Sequence, residues 1–169
     1  MKSEKERFMA LALKEADKAE KKEEVPIGCV IVKDGKVVAR AHNLKQTKRL
    51  ATAHAEVLAI EKVCRKLKDW RLEDYDIYVT LEPCAMCAGA IASARIKKTY
   101  FGAYEPKGGG VESKFRILTE SGLNHVTEYE GGVLEKECSE THSFLSVRFS
   151  VPRQSVLSQS PHENAPYIL

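Results

Sequence analysis

Ile77-Tyr78-Val79-Thr80-Leu81-Glu82-Pro83-Cys84-Ala85-Met86-Cys87 is a β-rich run that stops at Glu-Pro and passes into small, helix-compatible residues as far as Ala94. A strand leading directly into a helix is the building unit of layered α/β folds. Proline is tolerated near the helix start, because the N–H it lacks would have no intrahelical partner there. The same stretch carries two thiols at Cys-x-x-Cys spacing, and Thr52-Ala53-His54-Ala55-Glu56 upstream adds an imidazole and a carboxylate. Three ligands on a tetrahedral Zn²⁺, His54, Cys84 and Cys87, leave one position for water, whereas a structural site closes its shell with a fourth Cys or His. Glu56, two residues beyond His54, suits a proton shuttle beside the metal better than a ligand on it.

Upstream, Met9, Ala12, Leu13 and Ala16 recur at helical spacing and predict a first helix from Glu6 to about Glu20, with Lys18 to Glu24 as its solvated end. Ile27 to Val32 and Lys36 to Ala41 flank Lys33-Asp34-Gly35, and Asp-Gly between two β-rich runs is a hairpin signal. A polar loop from Asn43 to Thr52 leads into a helix that carries His54 and Glu56 near its start and reaches about Leu67. Downstream, a strand is expected at Thr99 to Phe101, a Gly-rich loop at Glu105 to Ser113 and a short helix near Phe115 to Leu118. A strand at Val126 to Tyr129 and a helix from Leu134 to about Arg148 complete the pattern, which points to an α/β layered fold with a mixed sheet. The Ser-, Pro- and Gln-rich stretch from Ser150 predicts a flexible tail, so that residues 1–149 form the domain and 150–169 the tail.

The length of 169 residues suffices for one domain with a hydrophobic core, and 43% hydrophobic with 30% charged residues is ordinary for a globular protein. No stretch approaches the length of a membrane span, and the start from Lys2 to Lys5 is not a signal-peptide n-region, so a cytoplasmic protein is expected. Beyond the Cys-x-x-Cys pair, Cys29, Cys64 and Cys138 lie in strand-like or helix-like segments, which fits buried free thiols in a reducing compartment. With 27 basic and 24 acidic residues the net charge is only +3, which does not by itself establish a nucleic-acid partner.

His54 and the Cys84/Cys87 pair fall in the first turns of two expected helices, whose positive ends favour thiolate over thiol. A lone Cys-x-x-Cys is equally compatible with a redox dithiol or half of a zinc ribbon. Here no second Cys-x-x-Cys exists, and a redox pair has no need of an upstream His-x-Glu. His-x-Glu followed by Pro-Cys-x-x-Cys is the general signature of zinc nucleobase deaminases.

The run from Thr80 through Glu82-Pro83-Cys84-Ala85-Met86-Cys87 to Ile91 resembles the zinc segment of bacterial tRNA adenosine deaminases, and Thr52 to Glu56 resembles their upstream segment. Val25-Pro26-Ile27-Gly28, Ala41-His42-Asn43, Tyr100-Phe101-Gly102-Ala103, Glu105-Pro106-Lys107-Gly108 and Leu123-Asn124-His125 follow the same family in order, over about Met9 to Cys138. The resemblance implies a three-layer α/β/α, cytidine-deaminase-like fold with a central sheet of about five strands. It implies a homodimer with one Zn²⁺ per subunit that converts the wobble adenosine of a tRNA anticodon to inosine. By matching positions, His54, Cys84 and Cys87 would hold zinc, Glu56 would shuttle protons, Asn43 would hydrogen-bond the purine, and Ile27, Ala55, Leu81 and Pro83 would line the base pocket.

An anticodon loop is single-stranded, so a base can be splayed into such a pocket at low cost. Lys45, Lys48, Arg49, Lys97, Lys98 and Lys107 are candidates for phosphate contacts. Without the family match, Asn43 would read as a turn cap, and His42 and His125 read as loop hydrogen-bonding groups rather than ligands. Three places along the chain depart from the family pattern. Leu50-Ala51 stands where Asp-Pro is usual, which should loosen the loop ahead of His54; Glu112 stands where Gly is frequent, which would make a positive φ costly; and Phe144-Leu145-Ser146-Val147-Arg148-Phe149 replaces a Phe-Phe pair with following basic residues. Two other functions use the same residues: deamination of a free nucleobase or nucleoside, and nucleic-acid binding by a protein with a structural zinc.

Overall fold

The computed structural model describes residues 2–120, 122 and 125–146. Its elements in chain order are α1 (Glu4–Glu20), β1 (Gly28–Lys33), β2 (Lys36–His42), α2 (Lys45–Lys48), α3 (Ala55–Leu67), β3 (Asp76–Leu81), α4 (Ala85–Ser93), β4 (Lys98–Ala103), α5 (Ile117–Glu120), β5 (Glu128–Glu130) and α6 (Glu135–Ser146). The first helix starts where its sequence supplies a capping box: Ser3 N–H donates to the Glu6 carboxylate at 2.7 Å, and Glu6 N–H donates to Ser3 Oγ at 3.4 Å. In the β1–β2 hairpin, Asp34 and Gly35 take φ of 50° and 69°, the left-handed pair that a tight hairpin turn requires and that Asp-Gly supplies at least cost.

The sheet order is β2-β1-β3-β4-β5, with β1 antiparallel to both neighbours and β3, β4 and β5 parallel, so the sheet is mixed and five-stranded as expected. On β1 the side chains alternate between two cores, which explains its unbroken apolar run: a strand covered on both faces has no polar side. Cys29 and Ile31 join Ile77, Val79 and Phe101 beneath Leu58 and Val63 of α3 and Ile91 of α4. Val30 and Val32 join Tyr78 beneath Phe8, Met9 and Ala12 of α1 and Cys138 of α6. The result is the three-layer α/β/α arrangement.

This topology also gathers one end of the sheet. Gly28, which opens β1, pairs with His42, which closes β2, and β3 and β4 run together to the Leu81–Ala103 pair. The start of β1, the segment after β2, the Pro83-Cys84 turn and the loop after β4 therefore share one edge.

Several boundaries differ from the sequence reading. Residues 45–48 of the polar loop form a short helix, capped by a residue far away in sequence. β4 runs three residues wider than expected because its partner strand pairs with it from Asp76–Lys98 to Leu81–Ala103. The short helix after it sits two residues later, and β5 is only three residues long. The end of the last helix near Arg148, the segment Val147-Arg148-Phe149 and the tail from Ser150 lie outside the described residues, as do Leu123 and Asn124.

Gly28 shows how closely α1 lies on the sheet, since a Cβ there would come 1.9 Å from the Ala12 carbonyl oxygen and 2.4 Å from the Ala16 nitrogen. Those contacts are backbone and cannot rotate away. Gly28→Ala is expected to lower the unfolding free energy by about 2–3 kcal/mol through overpacking, read as a lower denaturant midpoint; an unchanged midpoint would mean that α1 can move off the strand freely.

Candidate active site

His54 and Cys84 are each the residue immediately before a helix, with extended backbone (φ −80°, ψ 153° and φ −68°, ψ 172°), and neither side chain caps its own helix. The sequence places them in the first turn; the structure moves both one step earlier, and the extended conformation lets the side chains turn away from the helices toward each other. Asn43 does the capping for α3 instead, its Oδ1 accepting the Ala55 N–H at 3.0 Å. Cys87 lies three residues into α4 and is fully buried.

These three side chains converge. His54 Nδ1 is 3.8 Å from Cys84 Sγ and 3.6 Å from Cys87 Sγ, and the three atoms lie within 4.8 Å of one another. A tetrahedral zinc with bonds of about 2.0 Å to nitrogen and 2.3 Å to sulfur holds N and S about 3.5 Å apart. The donor set and its spacing thus fit the ion, and His54, Cys84 and Cys87 are positioned to hold it. The hydrogen bond from Cys87, aided by His54, draws Cys84 down to about 4, and the same bond together with burial pushes Cys87 up. His54 is raised by its hydrogen bond with Cys84.

Glu56, on the first turn of α3, is 3% exposed, and its Oε2 is buried with no hydrogen-bond partner. Burial pushes its carboxyl up to about 6, with the Cys84 charge adding to the rise. A buried oxygen without a protein partner is costly unless something else meets it. Beside a three-ligand metal site, that orphan marks where a reacting water or substrate nitrogen would be met.

The other candidate residues distribute unevenly. Asn43 is buried, its backbone N–H donates to the Ile27 carbonyl at 3.1 Å, and its side chain meets the start of the helix that carries Glu56. Ala55 and Pro83 are buried between or beside the ligands, whereas Leu81 packs in the core cluster that contains Phe8 and Met9. Lys45, Lys48, Arg49 and Lys107 are exposed at this end of the molecule. Lys97 and Lys98 lie at the start of β4 and so at the opposite end of the sheet, where Lys98 pairs with Glu130. His42, the last residue of β2 rather than a loop residue, bonds the Glu15 carboxylate at 3.2 Å, and His125 bonds the Ile96 carbonyl at 3.1 Å; neither joins the metal donors. All five cysteines are free thiols.

Three buried carboxylates were not legible as site residues. Glu24, 1% exposed, accepts the N–H groups of Gln46 and Thr47 at 3.1 and 2.7 Å and so caps α2, the helix that carries Lys45 and Lys48. Glu15 anchors His42 next to Asn43. Glu82, 2% exposed, gathers the backbone of the Gly-rich loop. Glu112 donates its N–H to Glu82 at 2.7 Å and has no positive φ, so the departure from glycine costs nothing there. Leu50 likewise sits in a closed turn, its N–H donating to the Lys45 carbonyl and its own carbonyl accepting from Ala53.

Comparisons with known proteins converge on this site. Residues 2–103 match the family model of the cytidine and deoxycytidylate deaminase zinc-binding region. The chain is 52% identical over 133 residues to the tRNA-specific adenosine deaminase of Bacillus subtilis (strain 168), covering 79% of this chain and 83% of that protein. It is 44% identical over 153 residues to the tRNA-specific adenosine deaminase of Aquifex aeolicus (strain VF5), covering 90% and 99%. Its structure is similar, with a TM-score of 0.77 and 47% identity over 80% of this chain and 98% of the other, to a chain solved in studies of A-to-I editing by tRNA:A34 deaminases at the wobble position of transfer RNA. A guanine deaminase from Nitrosomonas europaea, 19% identical with a TM-score of 0.71, shares the fold.

Proposed function

The chain belongs to the zinc-binding cytidine and deoxycytidylate deaminase family and, within it, to the tRNA-specific adenosine deaminases; from that membership we propose that it hydrolyses the wobble adenosine of a tRNA anticodon to inosine. The observation that carries the chemistry is the buried Glu56 carboxylate, one oxygen unpartnered, beside a convergent His54, Cys84 and Cys87.

His54, Cys84 and Cys87 would hold a Zn²⁺, whose Lewis acidity would make water easier to deprotonate near neutral pH. Glu56 takes the proton that water gives up, passes one to a ring nitrogen of the purine, and helps protonate the departing amine, so that water oxygen replaces nitrogen at C6 and ammonia leaves. A carboxyl near 6 is well suited to both accepting and returning a proton at neutral pH. Asn43 offers its amide to the purine edge while its oxygen stays on the α3 N-terminus. Ile27, Ala55 and Pro83 surround the base, with Leu81 supporting the β3 end beneath it. Lys45, Lys48, Arg49 and Lys107 meet anticodon phosphates.

We place the enzyme in the cytoplasm and propose that it is a homodimer, as the sequence resemblance implies; no helix among the described residues is long and apolar enough to cross a membrane. The test is ammonia release by zinc-loaded protein. Release from an anticodon stem-loop and not from free bases or nucleosides supports the proposal, the reverse assigns a free-base deaminase, and release from neither leaves the zinc a structural role.

A further inference from the structure

The loop after β4 is built around a single side chain. Glu82 closes the turn between β3 and Pro83, and the backbone N–H groups of Glu105, Val111, Glu112 and Ser113 donate to its two oxygens at 3.0, 3.2, 2.7 and 2.9 Å, joined by the Ser113 hydroxyl. Converging backbone N–H groups of this kind form an anion-binding nest, here filled by the protein's own carboxylate. Gly109 passes so close that a Cβ would lie 2.4 Å from the Glu82 carboxylate, and Gly110 donates to the Pro83 carbonyl at 2.7 Å. The loop is thereby seated on the segment that carries Cys84.

What the loop and the residues after it turn outward has a definite chemistry. Lys107 and Lys114 are exposed, the Lys114 ammonium donates to the Lys107 carbonyl at 3.1 Å, and it lies 5.6 Å from the ring centre of Phe115. Phe115 is 45% exposed and borders a surface hollow with Lys114, Arg116, Ile117 and Glu120. Its backbone N–H donates to the Gly109 carbonyl at 3.0 Å, which ties the ring's position to the same loop. Gly109 in turn pairs with Cys84 across an isolated bridge, so the ring is tethered through backbone to the segment that carries a metal donor, and an exposed aromatic ring flanked by cations is the combination that stacks an unpaired base and tracks its phosphate.

We propose that Glu82 is a positioning residue that holds the 105–113 loop so that Phe115, Lys107 and Lys114 form a rim on which a nucleotide flanking the edited one stacks. This rests on the RNA-editing reading above. Glu82 does not touch the reacting atoms. A carboxylate presents acceptors only, and so can satisfy every N–H that faces it; an amide in its place would turn two donors toward donors. The loop then loses its single conformation, and the rim with it.

The experiment compares wild type, Glu82→Gln and Phe115→Ala, each zinc-loaded, on an anticodon stem-loop, together with amide hydrogen exchange. Glu82→Gln should retain one zinc, raise KM by about tenfold with kcat within about threefold, and speed exchange at residues 105, 111, 112 and 113 by about tenfold or more. Phe115→Ala should raise KM by about tenfold, as loss of one stacked base predicts, with loop exchange as in wild type. A wild-type KM in Phe115→Ala overturns the rim. Unaccelerated exchange or a wild-type KM in Glu82→Gln overturns the positioning role, as does loss of its zinc, which would tie the carboxylate to the metal segment instead. Absence of ammonia release from the stem-loop by wild type would refute the RNA-editing reading itself, a result that the exchange measurement does not depend on.

Discussion

Glu56→Gln is expected to fold, bind one zinc per chain and lose at least about three orders of magnitude in kcat, the upper part of the range for removing a positioned general acid–base. The substitution keeps the shape of a fully enclosed side chain and leaves all three metal donors in place, so packing and metal content change little. What it removes is the only ionisable group buried beside the ligands whose oxygen lacks a protein partner among the described residues. An amide cannot accept a proton from water at neutral pH or hand one to a purine nitrogen. Turnover within tenfold of wild type would mean that another group moves the protons; loss of zinc would mean that Glu56 belongs to the coordination shell.

Cys87→Ala is expected to abolish stoichiometric zinc and, with it, all turnover. Removing only an outer partner of a ligand typically costs 10- to 100-fold in metal affinity, so deleting an inner ligand should cost well over about 100-fold. Cys87 is fully buried, so water cannot readily take its place. Binding to the folded chain also stabilises it: at a free zinc concentration about a thousand times Kd, the gain is about 4 kcal/mol. Wild type should therefore lose several degrees of thermal midpoint on chelation, whereas Cys87→Ala should show the same midpoint with and without added zinc. A variant that still binds one zinc per chain, or still gains stability from it, contradicts the ligand set.

The parts of this molecule that the sequence makes legible are those whose signal is local. Asp34-Gly35 specifies its hairpin because both residues tolerate positive φ, and the Cys-Val-Ile-Val run of β1 announces a strand covered on both faces. The metal ligands are readable because Cys84 and Cys87 are one helical turn apart and His54 and Glu56 are two residues apart, spacings that the local backbone alone converts into geometry. Glu15, Glu24 and Glu82 are a different case. In the sequence each is one acid among many and reads as a surface charge, and each becomes a buried anchor because it bonds groups 22 to 31 positions away. The helix at Lys45–Lys48 has no local signal for the same reason, since its cap is Glu24 rather than a neighbouring Ser or Asp. One trace of Glu82 was available: an acid at the end of an apolar strand, followed some twenty residues later by a Gly-rich stretch with backbone N–H groups to spare.

The most direct measurement is sequencing of a tRNA pool before and after incubation with zinc-loaded protein, where inosine reads as guanosine. Conversion of adenosine to an apparent guanosine at the wobble position, present with wild type and absent with Glu56→Gln, is the predicted result. Wobble adenosine left unconverted by a chain that carries its full zinc would contradict it.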